Sequence, residues 1–97
     1  MRNDFPWKYS HVTEEKSVSA KPGQLHTVVI NHPDDNQGTP EALVYDGIDA
    51  TGDLVATIDL SAGTNPVTLL YDIALATGLF VTISGAAQNI DLTMTYY

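Results

Sequence analysis

Cysteine is absent from the 97-residue chain. That excludes a disulfide scaffold, thiolate zinc sites and thiol nucleophiles. Charge is scarce too, at 16% of residues against 43% apolar. The apolar share is too high for a disordered chain, and no apolar run nears the roughly 20 residues of a spanning helix. The opening MRNDFPWKYS has none of the apolar stretch of a secretory leader. Lysine and arginine are missing altogether after residue 21. Arg2, Lys8, Lys16 and Lys21 share the first 21 residues with Asp4, Glu14 and Glu15, a stretch of net charge +1. Everything after it carries nine carboxylates and no base, hence −9. Such a body repels phosphate backbones, which bind proteins through Lys and Arg. Neither nucleic acid nor a membrane is expected as a partner.

What is present is a succession of short extended segments in a chain sized for one domain. Leu25 to Asn31 (LHTVVIN) is β-branched and mostly apolar, as for a strand covered on both faces. A polar turn-rich loop follows from His32 to Pro40, then a strand from Glu41 to Asp46. Leu54, Ala56, Ile58 and Leu60 alternate with Val55, Thr57 and Asp59. Val67, Leu69, Tyr71, Ile73 and Leu75 share one face of the next run; Leu79, Val81 and Ile83 follow Gly78. Ile90, Leu92, Met94 and Tyr96 then alternate with Asp91, Thr93 and Thr95. No stretch shows helical period, so the chain is predicted to be all-β, an antiparallel β-sandwich or jelly roll.

Residues 1–16 lack a strand pattern and are predicted to form an extended N-terminal arm on a β-sandwich domain of residues 17–97. Sixteen extended residues reach about 50 Å, whereas the body's radius of gyration should be about 12–13 Å. The arm holds Arg2, Lys8 and Lys16 with the aromatics Phe5, Trp7 and Tyr9. Two fates stay open: docking on a neighbour, or folding back so that Trp7 and Phe5 cover one end of the core. One internal echo stands out: Tyr45-Asp46 precedes Ala50-Thr51-Gly52 as Tyr71-Asp72 precedes Ala76-Thr77-Gly78. Two copies are too few for a solenoid.

Candidate chemistry is sparse. His26 and His32, six apart, share a strand face about 20 Å from each other, too far to share an ion. With His11 they read as structural or surface residues. Asp34-Asp35-Asn36 and the loop with Asp46, Asp49 and Asp53 are rich in oxygen ligands but lack the spaced order of a calcium loop. No G-x-S-x-G elbow or glycine-rich phosphate cradle occurs, so neither catalytic nor cofactor-binding nor metal residues are assigned. Tyr96-Tyr97 places one ring inward and one outward, and the outward ring suits an interface. The candidate partner-binding residues are therefore Arg2, Phe5, Trp7, Lys8, Tyr9 and Tyr97.

The segments GQLHTVVIN, ALVYDGIDATGDLVATIDL and LLYDIALATGLFVTISGAAQNIDLTMTYY resemble small bacteriophage virion proteins with β-sandwich or jelly-roll folds. The resemblance runs from Gly23 to Tyr97, about three quarters of the chain, and leaves the arm outside it. It implies a structural virion protein, similar to the capsid decoration (cement) proteins that sit on the head exterior, commonly as homotrimers. The implied partner is the major capsid protein, with no cofactor and no enzymatic activity. The alternative is a small tail or head-fibre module that binds a host surface protein or glycan. That role calls for exposed aromatics in loops 32–40, 47–53 and 61–66, which hold none.

Overall fold

The computed structural model describes residues 7–32, 41–60, 67–84 and 90–97. They form eight strands: β1 (Lys8–Val12), β2 (Lys16–Ser19), β3 (Gly23–His32), β4 (Glu41–Asp46), β5 (Asp53–Asp59), β6 (Val67–Leu75), β7 (Leu79–Ser84) and β8 (Asp91–Tyr96). One antiparallel sheet has the order β1-β8-β3-β6 and the other β2-β7-β4-β5. Only β4 and β5 are consecutive neighbours in one sheet; every other consecutive pair is split between the two. This is the strand order of a jelly roll, two four-stranded sheets closed over one core. The all-β sandwich expected from the alternation is what the chain forms.

Alternation explains the core. Val12, Leu25, Val28, Ile30, Leu75, Leu92 and Met94 point inward from the first sheet. Ala42, Val44, Ile58, Leu79 and Val81 meet them from the second. The predicted β6 face holds from Leu69 on, since Leu69, Tyr71 and Ile73 pack against the core and Leu75 lies within it, while Val67 is exposed. In β3 only one face is covered; Val29, across from Thr68 and Thr93, lies on the outer side. The Cα radius of gyration is 13.2 Å.

An arm spanning residues 1–16 is not what forms. Lys8–Val12 is a sheet strand, pairing with β8 from Lys8↔Tyr96 to Val12↔Leu92, and β2 begins at Lys16. Ser10 and Val12 are its buried positions. Two inward side chains in five residues are too few to register as a period, which is why KYSHV does not read as a strand. Arg2 and Phe5 lie outside the described residues. Because β1 covers one edge of β8 and Val12 fills core space, removing residues 1–12 should lower the melting temperature by about 10 °C or more. Thermal unfolding of the truncated chain checks this; an unchanged midpoint would restore the free arm.

The echoed Tyr-Asp and Ala-Thr-Gly segments meet in space. Asp46, ending β4, accepts backbone N–H bonds from Ala76 (2.9 Å), Thr77 (2.8 Å) and Gly78 (3.2 Å), the turn where the chain crosses from β6 to β7. Gly47 N–H in turn donates to Gly78 O at 3.3 Å. A Cβ on Gly78 would fall 2.6 Å from Ser19 O and 2.7 Å from Gly47 O, so only glycine admits this approach. The N–H groups of Ala76, then Thr77 and Gly78, hold the Asp46 carboxyl below the usual carboxylate range. A depressed folded pKa means the contribution is complete above the unfolded value and lost as pH falls through the folded one. Asp46→Ala should cost about 1.5–3 kcal/mol at pH 7. Urea titrations from pH 7 down to about 2 should show the two proteins converging in the acid range.

Candidate functional site

The outer face of the β1-β8-β3-β6 sheet gathers the candidate residues. Cross-strand register sets out its rows: Tyr9, Thr95, Thr27 and Leu70 form one, and His11, Thr93, Val29 and Thr68 the next. Tyr9 is 74% exposed and Leu70 68%, at the two ends of the first row. Between them the Thr27 and Thr95 hydroxyls bond each other at 2.5 Å, and Thr27 N–H donates to Thr95 Oγ1 at 3.1 Å. That row has no charged side chain.

A histidine–aspartate pair bounds the row on each side. His11 Nε2 lies 2.6 Å from Asp91 Oδ1, an oxygen that Asn31 Nδ2 also reaches at 3.0 Å. His26 Nδ1 bonds Asp72 Oδ1. The second pair depends on a bulge. Between Leu25 and Thr27, β3 has one residue more than β8, while β6 has one residue more than β3. The shift turns both His26 and Thr27 to the outer side and leaves Asp72 in the left-handed region at φ 49°. Aspartate accepts that conformation more readily than most residues.

The Trp7 ring stacks on His26 at 4.1 Å and 9°, and meets the Tyr97 ring edge-on at 6.2 Å and 79°. Tyr97 is fixed through its backbone: its N–H donates to Gln24 O at 2.8 Å, and its O accepts from Gln24 N–H at 3.1 Å. Beside this aromatic corner opens a cleft of about 320 Å³ lined by Lys8, Lys21, Pro22, Gly23 and Tyr97. Trp7, Tyr9 and Tyr97 thus lie together at the β1–β8 end of one face, with Lys8 beside them on the same strand but of the opposite parity, bordering the cleft.

The other expectations resolve differently. Asp46 and Asp49 are spent on backbone: Asp46 on the β6–β7 turn, Asp49 on Thr51 N–H at 2.9 Å. The Thr51 hydroxyl and then its N–H hold the Asp49 carboxyl low. Asp34, Asp35 and Asn36 lie outside the described residues, among which no group of three or more His, Cys, Asp or Glu side chains converges. Register shifts at Leu25/Thr27 and Ile30/His32 interrupt the alternation along β3. The His26–Asp72 pair is the feature that sequence reading passed over. Its signal was an aspartate inside the apolar run LLYDIAL, a residue type depleted in strands.

No protein-family model matches the chain, and no curated protein or solved structure matches it.

Trp7 is the chain's single tryptophan, so its emission reports on this corner. His26→Ala should shift Trp7 fluorescence to the red as the indole gains water, with the far-UV spectrum unchanged. Asp72→Val, a β-branched residue forced to positive φ, should lose about 1–3 kcal/mol, whereas Asp72→Asn should lose well under that. Equal losses in urea unfolding would show that the bulge places no demand on residue 72.

Proposed function

We propose that this protein is a non-catalytic structural module of a bacteriophage virion, a capsid decoration protein that docks on the head exterior through the outer face of β1-β8-β3-β6. The observation that carries the docking face is the uncharged row Tyr9–Thr95–Thr27–Leu70, with large side chains standing exposed at both ends. Interface cores are depleted in charge and enriched in tyrosine, and a sheet face offers a rigid platform that needs little ordering on contact. The virion setting rests on the resemblance of residues 23–97 to phage β-sandwich proteins. A net charge of −8 keeps copies soluble at high local density.

The partner is then the major capsid protein, and the assembly a homotrimer. Strands β1, β6, β2 and β5 are the four sheet edges of the described fold, and edge strands are the elements that neighbouring copies cover. Anchoring passes from an arm to a face: Trp7, Lys8 and Tyr9 act from a fixed strand and its approach.

Tyr9→Ser with Leu70→Ser should leave thermal unfolding within a few degrees, since both side chains are exposed, and should abolish co-sedimentation with phage heads. Loss of about 2 kcal/mol or more per anchor is the scale of buried aromatic contacts. Full co-sedimentation by the double variant would sink the docking face. Failure of the wild-type chain to bind heads would sink the virion reading itself.

A further inference from the structure

The cleft beside Tyr97 has a chemistry that the docking row lacks. Lys8 and Lys21 are two of only four bases in the chain, yet both border it. Neither side chain makes an ion pair within the described residues, and none of the five lining residues carries a side-chain carboxylate. Against them stands the main-chain carboxyl of Tyr97, so the recess keeps an excess of one positive charge in a protein of charge −8, a local site for a negative group. Tyr97, 59% exposed, completes the lining with Pro22 and Gly23.

The aromatic wall is built before any ligand arrives. Trp7 braces the Tyr97 ring edge-on, His26 braces Trp7 from below, and Asp72 holds His26. Two backbone bonds to Gln24 fix Tyr97 itself. A Cβ on Gly23 would lie 1.9 Å from Tyr97 O, so glycine is what lets the two segments approach beside the cleft. We propose that the cleft binds a carboxylate-bearing saccharide, its carboxylate between Lys8 and Lys21 and its apolar ring face on Tyr97.

Each part of the chemistry narrows the ligand. A flat exposed ring beside polar donors suits the C–H face of a pyranose, and about 320 Å³ is at the small end of ligand sites, enough for one or two sugar units. Gly23 sits on β3, which β8 and β6 pair on both sides, so the Gly23 wall offers a peptide no free ladder, and of the described strands at the cleft only the β1 edge at Lys8 is open. A nucleic acid would meet the acidic body beyond the two lysines. The cleft lies apart from the row Tyr9–Thr95–Thr27–Leu70 and shares Lys8 and, through the Trp7–Tyr97 contact, Trp7 with the anchors above.

The test is amide chemical-shift titration of the full chain with sodium glucuronate, glucose and inorganic phosphate, each to about 50 mM, a range that detects millimolar affinity. Glucuronate should shift the Lys8, Lys21, Gly23 and Tyr97 amides, with glucose and phosphate weaker. Lys8→Gln and Lys21→Gln should each weaken glucuronate by about two- to fivefold, and Tyr97→Ala by about tenfold. All three positions are exposed, so unchanged melting temperatures should accompany the losses. No shift with glucuronate overturns the site. Phosphate binding as tightly as glucuronate, with Tyr97→Ala without effect, overturns the saccharide in favour of an anion site alone. Glucose binding equal to glucuronate overturns the role of the lysines.

Discussion

One carboxylate ties the two sheets together where the chain changes layer. Asp46 closes β4 in the second sheet and takes up three successive N–H groups of the turn that carries β6 of the first sheet into β7 of the second. A crossover turn has no ladder partner for those donors, and a carboxylate is a strong acceptor for them. Because β7 pairs with both β2 and β4, the placement of its first residues sets the register of three strands. Gly78 and Gly47 complete the junction by permitting backbone contact without side chains between them. A jelly roll is held almost wholly by pairings distant in sequence, so a local clamp at a crossover limits the registers that the chain can sample.

The same economy of polar groups shapes the outer face. Each histidine on it is matched to a carboxylate, His11 to Asp91 and His26 to Asp72, leaving the ground between them uncharged. In the second pair the bulge turns the imidazole out of the alternation, and the imidazole then positions the indole. The ring of Tyr97 is oriented in turn by that indole and by Gln24. A chain of contacts from a left-handed Asp72 to an exposed tyrosine gives a rigid corner, and rigidity at a binding surface lowers the ordering cost of association.

The molecule is also electrically divided. Of the nine carboxylates after residue 21, the seven among the described residues are spread over both sheets and the turn after β4, whereas Lys8 and Lys21 border one cleft. Repulsion over most of the surface and attraction at one recess favours orientation of an acidic ligand toward that recess over general adhesion.

Period-two alternation determined the strands, the all-β class and most of the core, because burial on one face is a local property that Leu92, Met94 and their kind write directly into the chain. The turn residues likewise marked where strands end. Strand order is different in kind. Nothing in KYSHV announces that it pairs with the last strand, since pairing depends on partners 80 or so residues away and on only two inward side chains. The aromatics that make the candidate site were visible as residues, and Trp7, Lys8, Tyr9 and Tyr97 were named. Their convergence was decided by the β1–β8 ladder, and the role of His26 by a bulge that shifts register by one residue. The Asp46 clamp shows the same limit: Tyr-Asp and Ala-Thr-Gly recur in the sequence, but only the sheet crossover brings the first copy's aspartate onto the second copy's turn.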